Sequence, residues 1–185
     1  QSEYYTVTEL VGTGLDTLVD GQSVGYQKGP IDLGGAFAVV KLVDRKIVPD
    51  SVQARHILIP FAGATRADES ITRNPQEARV LADSLYAYLE ENPSAFESVS
   101  EEFSSDIVAK EKGGDLGYFS RGSMAKPFEN FCFFKKNGSM GVVPTQFGWH
   151  VIQVTDQNGS NDVYKIGQII REILPSEETI QGLYN

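Results

Sequence analysis

The chain is poor in the residue types that carry covalent and metal chemistry. It has one cysteine, Cys132, and two histidines, His56 and His150, in 185 residues. A single Cys closes no internal disulfide and leaves the redox compartment undetermined. Two His and one Cys, without i, i+3/i+4 or C-x-x-C spacing, disfavour a zinc site, and no metal or other cofactor is expected. No apolar run approaches 18 residues, so no membrane span or membrane contact is expected within this stretch. Clustered cations are also missing: the densest groups are Lys110/Lys112 and Lys135-Lys136 in a chain of net charge −9. That argues against a nucleic-acid surface. The chain opens at Gln1 without Met or a signal-peptide pattern, which reads as a processed chain or part of a longer one.

What is present is enough for a packed core: 41 % apolar residues and ten Phe. Residues 1–50 are broken by glycines and leave one convincing strand, 36–44. Val48-Pro49-Asp50-Ser51 reads as a connector, because proline interrupts ladder pairing. Alternation over 54–60 then puts His56 and Leu58 on one face of a strand and Arg55, Ile57 and Ile59 on the other. Asn74-Pro75-Gln76-Glu77 is a helix start, with Asn74 as N-cap and Glu77 completing a capping box. Ala78, Leu81, Leu85 and Leu89 form that helix's apolar stripe. Ser94 to Glu97 looks like a second cap, opening a short helix with Phe96, Val99 and Phe103 inward. A third helix is expected from Lys126-Pro127 to about Phe134, a short strand at Val142-Val143, and a strand from Gly148 to Thr155. On that last strand His150, Ile152 and Val154 share a face opposite Trp149, Val151 and Gln153. The order β-α-α-β-α-β-β implies an α+β fold with a mostly antiparallel sheet.

Residues 163–174 read as a further strand expected to pair with 36–44, since both are otherwise apolar strands without neighbours. Pro175-Ser176-Glu177-Glu178 resembles a helix start. A weak internal similarity relates Ala36–Asp44 to Gly148–Asp156 and sets Ala38 opposite His150.

Lys110 to Met124 is the most distinctive stretch, with Gly113-Gly114-Asp115-Leu116-Gly117 at its centre. It cannot be a helix interior and reads as a tight turn feeding a short strand. No Lys-Ser/Thr pair follows it, so it is not a phosphate-binding loop. Taken singly, each His reads as a core or edge residue. Cys132, between Phe131 and Phe133, reads as a buried structural thiol, and Asp106 after Ser104-Ser105 as a loop former.

Together these pieces resemble the parvulin class of peptidyl-prolyl cis–trans isomerases over residues 53–156. The resemblance is carried by Ala54-Arg-His-Ile-Leu58; Phe103-Ser-Ser-Asp106 with Ala109-Lys110; Gly113-Gly-Asp-Leu-Gly117-Tyr-Phe; Arg121-Gly-Ser-Met124 with Pro127-Phe128-Glu129; and Pro144-Thr-Gln-Phe-Gly-Trp-His150. It implies an FKBP-like antiparallel four-stranded sheet with surrounding helices and no cofactor. His56 and His150 match the paired histidines, Asp106 a position that is Asp or Cys in the class, and Thr145 the hydroxyl beside them. Cys132 is not at the thiol position, so no thiol role carries over. Leu116, Met124 and Phe128 match the proline pocket. Phe147 stands at a substrate-side position that is Ser or Phe. Trp149 replaces a commoner Tyr and is expected to have no effect.

The implied activity is isomerisation of X–Pro bonds in unfolded or folding polypeptides, without a covalent step. Arg66 and Arg73, set among Asp68 and Glu69, make too weak a cation cluster for a phosphopeptide, so an unmodified substrate is expected. The rival is a catalytically weak module that binds unfolded polypeptide as a chaperone; a purely structural role fits only the flanks. Those flanks resemble bacterial PpiD/SurA-like multidomain foldases. This implies a periplasmic or cell-envelope setting, with any inner-membrane anchor outside these 185 residues. The expected organisation is a flanking segment at 1–50, the tail of a degenerate parvulin-like unit; a parvulin domain at 51–157; and at 158–185 a strand and helix start of the larger chaperone body.

Overall fold

The computed structural model describes residues 3–172. The chain divides into two compact units, one of residues 1–47 and 161–185 and the other of Val48–Ser160. The helix start read at Pro175 lies outside the described residues.

In the first unit, helices α1 (Val7–Leu10) and α2 (Asp16–Val19) precede strands β1 (Gln27–Asp32) and β2 (Ala36–Val48). Strand β7 (Asn161–Glu172) completes a three-stranded sheet of order β1-β2-β7. The expected pairing of the two apolar strands is therefore present. Alternation on β2 buries Ala38, Val40 and Leu42. Leu42 packs with Leu10, Val19 and Tyr164. Thr6 and Glu9 form a reciprocal capping box on α1. Arg45 reaches Asp162 through two N–H groups, at 2.9 and 2.6 Å. Helices α1 and α2 and strand β1 have no counterpart in the sequence pattern, because four-residue helices are too short to show a 3.6-residue period and β1 contains Gly29-Pro30. Strand β2 does not end at residue 44 as expected but runs through the basic pair to Val48.

The second unit is built on an antiparallel sheet of order β4-β3-β6-β5: β3 (Ser51–Ile59), β4 (Asp115–Ser120), β5 (Met140–Thr145) and β6 (Gly148–Asn158). Both faces are covered. On one, Val52, Ala54, Ile152 and Val154 pack with Phe119, Phe128, Cys132 and Phe133, the last three from helix α6 (Lys126–Phe134). On the other, Ile57, Ile59 and Val151 meet Ala78, Ala82, Leu85 and Leu89 of α3 (Pro75–Glu91), and Phe96 and Val99 of α4 (Phe96–Phe103). The two-sided burial explains why β3 and β6 carry apolar residues at both parities.

Asn74 caps α3 by accepting from the N–H groups of Gln76 and Glu77, and Glu77 accepts from Asn74 N–H. The second expected cap fails. A 3-10 turn, Pro93–Ala95, precedes α4, whose N-cap Ala95 has no side-chain bond. Pro93 starts that turn, and its carbonyl accepts from Arg55. A short helix, α5 (Ile107–Lys110), was also missed. Asp106 is its N-cap, accepting from Ala109 N–H. No helix among the described residues is long and apolar enough to cross a membrane.

Candidate active site

Antiparallel register brings the two histidines together. Leu58 lies opposite His150 and His56 opposite Ile152, so the two imidazoles are diagonal neighbours on one face of β3 and β6. Their Nδ1 atoms are 3.1 Å apart and their planes differ by only 16°. Both rings are about 95 % buried. Phe128 stands nearly perpendicular to each, at 5.6 Å from His56 and 5.3 Å from His150 between centroids.

Polar groups close both ends of the pair. His56 Nε2 meets Asp106 Oδ2 at 3.1 Å, and His150 Nε2 meets Thr145 Oγ1 at 2.7 Å. Thr145 Oγ1 also accepts from Phe147 N–H at 3.1 Å. The hydrogen bond from His56, with that from Ala109 N–H, holds the Asp106 carboxyl down at about 2. Asp106 is thus an anion that can only accept, which fixes a hydrogen on His56 Nε2. His56 must carry hydrogen on Nε2 and, when neutral, presents a bare Nδ1. His150 must then donate from Nδ1, leaving its Nε2 to accept the Thr145 hydroxyl. All donors run one way, from Phe147 N–H to Asp106, and each atom is paired. Burial, reinforced by repulsion from His56, pushes His150 down to about 3, so it is neutral at physiological pH.

Asp106 is positioned by the segment before it. Ser104 Oγ accepts from Leu58 N–H at 3.1 Å and from Asp106 N–H at 3.3 Å, and Ser105 N–H donates to the Leu58 carbonyl. On the other side, Gly114 O accepts from His56 N–H at 2.9 Å.

The cluster forms part of the wall of a cavity of about 590 Å3. All eight side chains singled out from the sequence line it: His56, Asp106, Thr145 and His150 on the polar side, with Leu116, Met124, Phe128 and Phe147. Phe128 is buried, while Leu116 and Met124 are half-buried. Such a site can hold a ring-sized apolar group beside a preset dipolar chain. Among the described residues no group of three or more His, Cys, Asp or Glu could hold a metal ion. Cys132 is remote from this chemistry: fully buried, its thiol is pushed up to about 12 by desolvation and by Glu129.

Residues 37–158 match the family described as the PPIC-type PPIase domain. The chain belongs to that family. It is 27 % identical to foldase protein PrsA 2 of Bacillus cereus over 78 % of this chain and 50 % of the relative. It is 28 % identical to foldase protein PrsA of Staphylococcus aureus over 78 % and 46 %. The chain thus spans about half the length of these curated relatives. Among solved structures it resembles the peptidyl-prolyl isomerase ESS1 from Candida albicans, with TM-score 0.52 and 26 % identity over 58 % of this chain and 63 % of that one.

Within this PPIC-type domain, four contributors carry no decisive local signal in the sequence: Ser104, Gly114, Arg66 and Asp68. Ser104 was read only as a loop former, although S-S-D after a helix is a pattern for side-chain-to-backbone bonding. Gly114 was seen as part of a turn, with no partner named. Arg66 and Asp68 were weighed only as charges, yet both line the cavity. Trp149 faces away from the histidines, as expected, and its indole N–H donates to Pro75 O at 3.1 Å.

Proposed function

We propose that the unit Val48–Ser160 isomerises X–Pro bonds of unfolded or folding polypeptides by a non-covalent route. The observation that carries this reading is the apolar wall of Leu116, Met124 and Phe128 facing the same cavity as the one-way chain Thr145–His150–His56–Asp106. Rotation about the peptide bond is opposed by a resonance barrier of about 18–20 kcal/mol. Accelerating the rotation about 10⁴-fold takes roughly 5.5 kcal/mol of preference for the twisted state. Twisting removes the charge separation of the planar amide, so a desolvated site favours it. The pocket holds the pyrrolidine ring while the carbonyl side turns, and the polar chain keeps the surrounding dipoles fixed. His56, Asp106, Thr145 and His150 act as that network, and Phe147 borders the substrate.

A proline-limited peptide assay on purified His150→Ala and Met124→Ala tests the assignment. Each is expected to lose on the order of tenfold in kcat/KM; wild-type rates in both would sink it. Aggregation suppression measured alongside separates turnover from a module that only holds polypeptide.

The setting we propose is the cell envelope, on the periplasmic side, with this unit carried in a larger chaperone body that includes residues 1–47 and 161–185. The foldase relatives and the greater length of their chains support it. Fractionation of the native protein tests it; a cytosolic pool would reject it.

A further inference from the structure

Glu129 is a buried carboxyl group that the isomerisation chemistry does not use. It follows Phe128 on α6 and is fully buried. A carboxyl group is a costly occupant of such a place unless its oxygens are bonded, and an apolar side chain of the same size would avoid the cost. Here both oxygens have partners: Oε2 accepts from Gly122 N–H, and Oε1 lies 3.5 Å from Lys126 Nζ. Gly122, at a φ of +87°, belongs to the turn that leads from β4 into α6. The side chain thus ties the helix to the backbone of the turn, two residues before Met124.

The rest of the turn is held more loosely. Arg121 lays its guanidinium over the Phe133 and Phe134 rings, 5.9 and 5.7 Å from their centroids. Ser123 N–H reaches Ser120 O only at 3.3 Å, long for a hydrogen bond. The N-cap of α6, Ala125, has no side-chain bond. Met124 and Phe128 both line the cavity, one from the turn and one from the helix, while Glu129 and Gly122 do not. Successive side chains on a helix point about 100° apart, so Phe128 faces the cavity as Glu129 faces the turn. One short helix therefore carries the pocket's buried ring at Phe128 and, through Glu129, the tether of its wall at Met124.

We propose that Glu129 is a positioning residue for the proline pocket: by tying Gly122 to α6 it fixes the separation of Met124 and Phe128, and with it the width of the slot for the pyrrolidine ring. This rests on the cavity being the X–Pro site.

The test uses the 185-residue chain with Glu129→Leu, Glu129→Gln, Met124→Ala and the double variant Met124→Ala/Glu129→Leu. Urea denaturation checks that each is folded, and Glu129→Met replaces Glu129→Leu in the kinetics should the branched side chain not fit. For an X–Pro peptide, kcat and KM are measured separately, with Kd by fluorescence anisotropy. The chain has two methionines, so methyl NMR reports on Met124 with Met140, packed on the other face of the sheet, as internal reference. Glu129→Leu leaves Gly122 N–H unpaired and is expected to raise KM about five- to tenfold with kcat within about twofold of wild type, the pattern of lost binding. The Met124 methyl signal should shift and that of Met140 should stay. Glu129→Gln keeps an acceptor oxygen and should bring KM back to within about twofold of wild type. With Met124 already replaced by Ala, Glu129→Leu should cost no further affinity, because the tether then has no wall to place. Equal losses from Gln and Leu, additive losses in the double variant, or an unmoved Met124 methyl would each overturn the proposal. If no peptide is turned over, yet Glu129→Leu shifts the Met124 methyl and weakens peptide Kd, the isomerase reading falls and this one stands. Normal turnover in Glu129→Leu with an unmoved methyl gives the converse.

Discussion

Gly114 lies so close to the His56 backbone that a methyl group cannot be placed between them. A Cβ built on Gly114 would stand 2.7 Å from His56 O and 3.0 Å from Ser100 Oγ, at a φ of +91°. The glycine-rich stretch thus works by packing: it lays its backbone directly on the strand that carries the first histidine. Gly114→Ala should cost about 2–4 kcal/mol in urea denaturation, from strain and overpacking together. Gly117 provides the control, since its φ is +66° but nothing lies within 4 Å of its Cβ position. Gly117→Ala should cost about 1 kcal/mol. Equal losses at the two positions would remove the packing explanation.

How far the sequence reveals this site depends on which residues interact locally. The faces of β3 and β6 follow from alternation, and the ends of α3 and α6 from Asn74-Pro75 and Lys126-Pro127, because those signals lie within a few residues of one another. The union of His56 with His150 is different. It depends on a strand register set across 94 residues and on a register shift between Gln53 and Ala54, neither visible in local spacing. Only several motifs read together made the pair legible. Ser104 stayed hidden because its meaning comes from a distant partner. The helices α1, α2 and α5 stayed hidden because they are four residues long.

Thr145 serves two neighbours at once, donating to His150 Nε2 and accepting from Phe147 N–H. Thr145→Val keeps the shape and leaves both unpaired, which should cost about 1–3 kcal/mol. Thr145→Ser restores the hydroxyl and should recover most of that loss. Thermal unfolding of the three proteins decides it, and a Ser variant no better than Val would argue that the methyl packing matters instead.

The anionic state of Asp106 dictates the tautomers of both histidines. In Asp106→Asn, the amide oxygen must still accept Ala109 N–H, so the NH2 group turns toward His56 Nε2. His56 then has to hold its hydrogen on Nδ1, and His150 must hold its own on Nε2. Nitrogen chemical shifts of the two imidazoles should therefore report hydrogen on Nδ1 of His150 in the wild type and on Nε2 in the variant. The same tautomer in both would show that the Asp106 charge does not orient the chain.

Cys132 should behave as an apolar side chain. Its thiol is pushed up to about 12 and is fully buried, so the thiolate is scarce and inaccessible. A thiol reagent at pH 8 should label it at the rate of global unfolding and faster in urea. Rapid labelling of the native chain would place Cys132 at an opening surface.

The neutral state of His150 makes the fold acid-sensitive over a defined range. Its ordinary value is 6.5, and burial, aided by His56, depresses it to about 3 in the folded protein. Below pH 6.5 the unfolded chain takes up a proton at this position that the folded chain refuses, so stability falls as pH drops, at about 1.4 kcal/mol per unit. The loss from this group is complete near pH 3. Asp106 acts later: its carboxyl is lowered from 3.8 to about 2, so its contribution is intact above 3.8 and disappears as pH falls through 2. Between pH 6 and 4, then, His150 contributes a downward slope that Asp106 does not share. Urea midpoints measured across that interval should decline in the wild type and decline less in His150→Gln. Parallel slopes in the two proteins would mean that the proton taken up on unfolding is bound elsewhere.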